Sequence, residues 1–187
     1  MDSFYSQAEL QKMNFKMVGE NVLISKKASI YGIEDIIIGN NVRIDDFCIL
    51  SGKIIVGNYI HIAAYSALYG GMAGIEVLDF ANISSRVTIY ALSDDFSGKS
   101  MTNPMIPNKY KNVIHKKVII EKHVIIGSNV VVLPGVRLKE GSAIGAMSLV
   151  NKDTNQWTIN AGIPLKKIRN RDKELLKLEE IFISENM

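Results

Sequence analysis

Aliphatic residues recur every six positions through most of the chain. These anchors form three runs: Ile38, Ile44, Leu50, Val56, Ile62 and Leu68, then Val77, Ile83 and Ile89, and finally Ile120, Ile126, Val132, Leu138, Ile144 and Val150. Four residues after each anchor is a second position that carries only small or aliphatic side chains, such as Val42, Cys48 and Ser142. A period of six is neither the 3.6-residue period of a helix nor the alternation of an ordinary strand.

Equivalent anchors also recur at three times this spacing, as Ile120 and Leu138 do. The pattern therefore predicts an all-β fold, a left-handed parallel β-helix of hexapeptide repeats. Each repeat supplies a short strand with one inward anchor and a tight corner, and three repeats close one triangular coil. Stacked coils bury the anchors in columns and pair the backbone groups of each coil with the next.

The repeat divides the chain into three predicted parts. The β-helix occupies residues 18–163, with a glycine-rich break at 70–74 and a polar, non-repeating excursion loop at 94–117. Residues 1–17 form a predicted N-terminal helical segment. Residues 164–187 form a predicted C-terminal helical cap over the last coil, because apolar residues there have near-helical spacing: Leu175, Leu176, Leu178, Ile181 and Phe182.

Composition narrows the possible classes of protein. The chain has 187 residues, of which 47% are hydrophobic and 22% charged, so we expect one folded domain. A net charge of +3 is too small to indicate nucleic-acid binding. The single cysteine, the absence of an apolar run of about 20 residues and the lack of a signal sequence predict a cytoplasmic protein without a membrane span. No residues have metal-ligand spacing, so no metal site is predicted.

Five short motifs follow one another after the loop. They are IGS at 126–128, LPGV at 133–136, IGAMS at 144–148, NKD at 151–153 and AGIP at 161–164. Together they resemble the hexapeptide-repeat acetyltransferases, a group that includes galactoside, maltose and bacterial polysaccharide O-acetyltransferases. The resemblance extends upstream to about Gly39 and so covers most of the chain.

The resemblance implies a homotrimer that binds acetyl-CoA as co-substrate in the groove between neighbouring β-helices. Matched position by position, small residues would line the pantetheine arm, and polar or basic residues would meet the nucleotide and its phosphates. The implied cofactor-binding residues are Ser128 and Ala146 for the arm, Asn151 and Lys152 for the pyrophosphate and adenosine, and Lys166 and Arg169 for the phosphates. The alternative for the basic residues is a solvated basic end of the chain.

The segment at 93–98, followed by Asn103 and Pro104, resembles the polysaccharide O-acetyltransferases in particular. The resulting functional prediction is an acetyl-CoA-dependent O-acetyltransferase. Its acceptor would be a sugar or a surface-polysaccharide precursor of the O-antigen or capsule type, either a small molecule or a lipid-linked sugar.

The catalytic base is where the sequence departs from the family. A histidine is usual near the start of the loop, whereas alignment places Asp94 there. In one hypothesis His123 is the base and Asp94 or Asp95 fixes its tautomer. In another hypothesis His61 is the base and reaches the groove from a different subunit. His115, near the end of the loop, is a third candidate, whose position the sequence constrains least. Asp94 itself would serve only if burial raised its pKa.

Two other functions remain open. If the acceptor is an amine, such as a nucleotide-linked amino sugar, the free amine is already nucleophilic and needs no strong base. The missing histidine favours this N-acetyltransferase. The missing histidine is also compatible with a non-catalytic trimeric β-helix scaffold, which is opposed by the matched residues Ser128, Ala146, Lys152 and Arg169.

Overall fold

A computed structural model describes residues 3–186 of the chain. Two helices, α1 (Gln7–Lys12) and α2 (Leu175–Asn186), flank the strands, and short 3₁₀ turns occur at Ile33–Asp35 and Asn108–Tyr110. Twenty strands follow in chain order: β1 (Met17–Val18), β2 (Leu23–Ile24), β3 (Ser29–Tyr31), β4 (Ile36–Ile38), β5 (Val42–Ile44), β6 (Ile49–Val56), β7 (Ile60–Ile62), β8 (Ala67–Val77), β9 (Asn82–Ile83), β10 (Thr88–Tyr90), β11 (Leu92–Ser93), β12 (Ile114–His115), β13 (Val118–Ile120), β14 (Ile125–Ile126), β15 (Val131–Val132), β16 (Arg137–Leu138), β17 (Ala143–Ile144), β18 (Leu149–Val150), β19 (Thr158–Ala161) and β20 (Lys166–Asn170).

The strands form three parallel faces around one axis, in about seven turns. The first face runs through β1, β4, the second half of β6, the second half of β8, β13 and β16. The second face runs through β2, β5, β7, β9, β14, β17 and β19. The third face runs through β3, the first halves of β6 and β8, β10, β15 and β18. The predicted all-β fold, a left-handed parallel β-helix with an excursion loop and a C-terminal helix, is confirmed.

Three edges join the faces, and the candidate functional residues are described by their places on these edges and faces. The first edge, between the first and second faces, contains residues 57–59, 78–80 and 121–123. The second edge, between the second and third faces, contains residues 45–47, 63–65, 84–86, 127–129 and 145–147, stacked by backbone hydrogen bonds from coil to coil. The third edge, between the third and first faces, contains residues 70–74, the excursion loop and residues 133–135.

The predicted anchors form the core. Every anchor of the six-residue pattern is at most 3% exposed. The second positions are buried as well, except Ser93, which lies where the excursion loop leaves the coil, and Met72, which lies in the glycine-rich break. The lone Cys48 belongs to this set, and burial raises the pKa of its thiol to about 11. The core of the β-helix was therefore predictable residue by residue.

The ends of the chain only partly follow the prediction. The N-terminal helix is present, and Ser6 and Glu9 cap it reciprocally. The C-terminal helix is also present, but the prediction that it caps the last coil is wrong. The antiparallel β20 reverses the chain beside β19, and α2 then lies along the first edge, with Phe182 against Tyr59 and Phe80. Residues 1, 2 and 187 of the predicted terminal segments lie outside the described residues.

The two predicted interruptions differ in kind. The glycine-rich stretch at 70–74 stays within β8, where the pairing with β6 shifts register. The excursion loop is closed at its base by an antiparallel pair of strands, β11 with β12. No helix within residues 3–186 is long and apolar enough to span a membrane.

Candidate functional site

The excursion loop folds over the third face and borders an open cavity of about 720 Å³. Its wall on the β-helix begins with Tyr69 and Tyr90, whose rings are stacked with centroids 5.2 Å apart. The loop supplies two charged groups to the lining, Asp94 and Lys111, among mostly apolar side chains. The remaining lining residues are Leu92, Ser93, Phe96, Asn103, Pro104, Val113, Leu133 and Pro134. The cavity suits a ligand with an apolar part and one polar group that meets a carboxylate.

The two loop aspartates have different surroundings. The Asp95 carboxylate accepts hydrogen bonds from the Ser97 amide at 2.8 Å and from the hydroxyls of Ser97 and Ser100, both at 2.9 Å. These bonds lower the pKa of Asp95 below its ordinary value and tie its carboxylate to the loop itself. The Asp94 side chain lines the cavity and forms no hydrogen bond with residues 3–186. Asp94 is thus the carboxylate available to a ligand.

The proposed pairing of His123 with Asp94 or Asp95 is not formed. His123 lies on the first edge and the loop on the third, so the whole first face separates them. The His123 ring is 7% exposed, stacks on Phe80 at 5.3 Å, and donates from Nε2 to Oε2 of Glu179 at 2.7 Å. The helix α2 thereby covers the ring that the sequence suggested as a base.

His61, the other predicted base, occupies the outward side of β7 on the second face. Its Nε2 donates to Oδ2 of Asp45 at 2.8 Å, and Arg43 donates to the other oxygen of that carboxylate at 2.7 Å. Burial works against ionisation of Asp45, but these two bonds outweigh it, so the pKa of Asp45 is lowered. His61 is half-exposed and held in orientation, at a distance of one face from the loop.

Ser128 and Ala146, predicted to line a pantetheine arm, lie together on the second edge. The Met147 amide donates to the carbonyl oxygen of Ser128 at 2.9 Å, which stacks the two corners. The corners approach closely: a methyl group on Gly127 would lie 2.6 Å from the backbone nitrogen of Ala146. The Gly127 corner therefore packs directly against the Ala146 backbone of the next coil and leaves no room there for a side chain.

The other predicted cofactor residues lie elsewhere. Asn151 and Lys152 follow β18 at the third edge, and both are exposed. Lys166 and Arg169 are exposed on β20, opposite Ala161 and Ile159 of β19. A single chain therefore does not bring the predicted set to one place. Within residues 3–186 no three or more His, Cys, Asp or Glu side chains are grouped to hold a metal ion.

Comparison with known proteins identifies several relatives. The bacterial transferase hexapeptide family (six repeats) matches residues 117–152. An Escherichia coli dTDP-4-amino-4,6-dideoxy-D-glucose acyltransferase is 51% identical over 183 residues, which is 96% of this chain and 95% of the relative. AntD, an N-acyltransferase from Bacillus cereus solved with dTDP and 3-hydroxybutyryl-CoA, is 58% identical, with a TM-score of 0.97 and complete coverage of both chains.

Variants of AntD point to two positions. Its S84A variant was solved with dTDP-4-amino-4,6-dideoxyglucose and coenzyme A, at 57% identity, a TM-score of 0.97 and coverage of 99% of this chain and 100% of that one. Its D94A variant was solved with dTDP and coenzyme A. At the same two positions, this chain also has serine and aspartate, Ser84 and Asp94. The sequence indicated Asp94, but Ser84 is an ordinary corner residue that no pattern marks.

These relatives overturn the predicted O-acetylation of a polysaccharide precursor. The Escherichia coli relative that is 51% identical is named for acyl transfer to a 4-amino sugar, and AntD, at 58% identity, is an N-acyltransferase, whereas a putative lipopolysaccharide O-acetyltransferase of Escherichia coli is only 28% identical over 86% of this chain. The acceptor seen with AntD is linked to dTDP rather than to a lipid. The error arose because relatives named as O-acetyltransferases and as N-acetyltransferases both match this chain, so a match to the family does not identify the acceptor. The relatives are enzymes, which also opposes the scaffold alternative.

Proposed function

Because the chain belongs to the hexapeptide-repeat acyltransferases, we propose that it transfers an acyl group from coenzyme A to the 4-amino group of a dTDP-linked 4-amino-4,6-dideoxyhexose. The observation that carries this proposal is the loop cavity, which presents the Asp94 carboxylate where O-acetyltransferases have a histidine. An amine needs less help from a base than a hydroxyl does, so a carboxylate that accepts a hydrogen bond is sufficient.

The proposed step balances without any further reactant. The amine nitrogen attacks the thioester carbonyl carbon, the carbon–sulfur bond breaks, and the coenzyme A thiolate leaves. Asp94 accepts a hydrogen bond from the amine and so orients its lone pair toward the thioester. The proton that the nitrogen loses passes to the thiolate, directly or through the Asp94 carboxylate.

The proposed site is formed by two subunits of a homotrimer. Ser84 is on the second edge and Asp94 on the third, at opposite ends of the third face. That face is about five residues wide, so the two positions are roughly 15 Å apart in one chain. If the second edge of one subunit packs beside the loop of its neighbour, the two residues meet. The same packing joins Ser128 and Ala146 to the neighbour's third edge, where Asn151 and Lys152 lie, and it forms a groove for the coenzyme A thioester.

A paired-acceptor assay tests the proposed reaction. The purified protein is incubated with acetyl-CoA or 3-hydroxybutyryl-CoA, and thiol release is followed. We expect turnover with dTDP-4-amino-4,6-dideoxyglucose and none above background with the same nucleotide sugar carrying a 4-hydroxyl group. Its rate should follow the fraction of free amine as pH rises. Comparable turnover of the hydroxyl compound would refute N-acylation as the function.

A further inference from the structure

Aromatic rings and cations alternate along the N-terminal half of the second edge. Phe47 and Tyr65 stack with centroids 4.9 Å apart, Lys27 lies over the Phe47 ring at 5.5 Å, and Arg86 lies over the Tyr65 ring at 5.5 Å. We call these four residues the exposed ladder. Phe47 is 46% exposed and Tyr65 is 54% exposed, so the edges of both rings face outward.

The first edge carries a second ladder that the chain itself covers. Tyr59 and Phe80 stack at 5.0 Å, and Lys122 lies over the Phe80 ring at 5.5 Å. Phe182 of α2 lies across both rings, nearly perpendicular to them at 85° and 5.1 Å from the Tyr59 centroid. The carboxylate of Glu179, one helical turn away, pairs with Lys122. A ladder of this kind thus accepts a flat ring across its edges and an anion beside the ring.

The exposed ladder offers the same features without an occupant from its own chain. Lys27 is already paired with Asp46 at 2.8 Å, whereas Arg86 has no carboxylate partner within residues 3–186. The fold does not require aromatic side chains at this position, since Asn129 and Met147 occupy it in later coils of the same edge. Both rings also have positive φ, 61° for Phe47 and 64° for Tyr65, a conformation that is unfavourable for bulky residues.

We propose that the exposed ladder binds the nucleoside diphosphate half of the acceptor. The base lies across the outward edges of Phe47 and Tyr65, as Phe182 does across the covered ladder, and the diphosphate pairs with Arg86. This inference rests on the proposed function, because Ser84 lies two residues from Arg86 on the same edge. Beyond Ser84 the edge continues to Ser128 and Ala146, whose small side chains suit the pantetheine arm. The two substrates then approach the point of transfer from opposite ends of one edge.

Two variants separate the ring contact from the charge contact. Tyr65→Leu removes one ring, and Arg86→Gln removes the cation at an exposed position where misfolding is not expected. We expect each to raise the KM for the amino-sugar nucleotide and the Kd for dTDP about tenfold, with the KM for acyl-CoA unchanged. Tyr31→Leu is the matched control, since Tyr31 is a 60% exposed tyrosine on the third face outside the ladder.

The readouts distinguish the possible failures. If the wild-type protein turns over the amino sugar but both variants bind dTDP as tightly as the control does, the ladder is not the nucleotide site. If the wild-type protein does not acylate the amino sugar, a loss of dTDP binding in both variants still supports the nucleotide site while the proposed reaction fails. If Tyr65→Leu dissociates the oligomer in light scattering at equal concentration, the ladder is a subunit contact and the inference is wrong.

Discussion

Replacing Asp94 with asparagine is expected to lower kcat/KM for the amino-sugar nucleotide by about a hundredfold or more, the usual range for a group that handles a proton in the transition state. The amide keeps the size of the side chain but can no longer take a proton. Because Asp94 lines the loop cavity and forms no other hydrogen bond within the described residues, the loop should remain folded. Steady-state kinetics with saturating acyl-CoA measure the loss.

The control for this prediction is Asp35→Asn, which makes the same charge change at an exposed aspartate of the short turn Ile33–Asp35 and should leave the kinetics unaltered. Mixing subunits then tests the shared site. A subunit with Asp94→Asn and a subunit with Ser84→Leu, each expected to have little activity alone, are unfolded together and refolded. If each site takes Ser84 from one subunit and Asp94 from the next, random mixing restores about a quarter of the sites. No recovery in verified mixed trimers would place both residues in one subunit's site.

The sequence predicted the core because a repeat is a strictly local signal. Each anchor is fixed by its distance from the previous one, and burial of Ile38, Leu68 or Val132 needs no knowledge of distant segments. Ser128 and Ala146, which the family resemblance singled out, are three repeats apart, so the same regularity explains why they stack on the second edge. Residues whose place follows from counting along the coil could therefore be predicted from the sequence.

The candidate site was harder to predict from the sequence. Two residues that are close in sequence can lie on different edges of the β-helix, with a whole face between them. His123 follows the end of the loop by only a few residues, yet β13 carries the chain across the whole first face between them. Proximity in sequence suggested that His123 pairs with Asp94 or Asp95, but the triangular cross-section of the β-helix keeps them apart. Ser84 and the exposed ladder were missed in the sequence for the opposite reason, because residues that meet in space are distant in sequence. Phe47, Tyr65 and Arg86 lie on adjacent coils, and each is about twenty residues from the next.

The place of α2 was not predictable either. Its apolar spacing shows which side of the helix is buried, but not which surface receives it. That surface is the covered ladder, whose rings come from separate coils. The contact also explains His123: the ring is a structural group that bonds to Glu179 and stacks on Phe80. Arg171 strengthens the same junction by donating from Nη1 to the carbonyl oxygens of His123 at 2.8 Å and Gly141 at 3.0 Å.

Replacing Glu179 with glutamine is expected to lower the free energy of unfolding by about 2 kcal/mol at neutral pH, as the loss of hydrogen bonds to a partly buried charged group usually does. The Glu179 side chain is 10% exposed and bonds both Lys122 and His123. Burial works against its ionisation, but the hydrogen bonds from these two residues outweigh that cost, so the pKa of Glu179 lies below its ordinary value. The variant removes the anion that joins α2 to the first edge.

The lowered pKa also fixes the direction of the pH dependence. A carboxyl group that ionises more readily in the folded chain stabilises it above the unfolded pKa, about 4.3, and this contribution is lost as pH falls through the lower folded value. The difference between wild type and Glu179→Gln should therefore be full at pH 7 and shrink progressively as pH falls below the unfolded value. Urea unfolding at equal protein concentration measures it, because assembly makes stability depend on concentration. Glu174→Gln is the matched control: its pair with Lys177 is exposed, so its loss should cost well under 1 kcal/mol. Equal losses for the two variants would show that the helix is held by its apolar contacts alone, and a Glu179 effect that persists undiminished in acid would show that the carboxylate charge is not the stabilising feature.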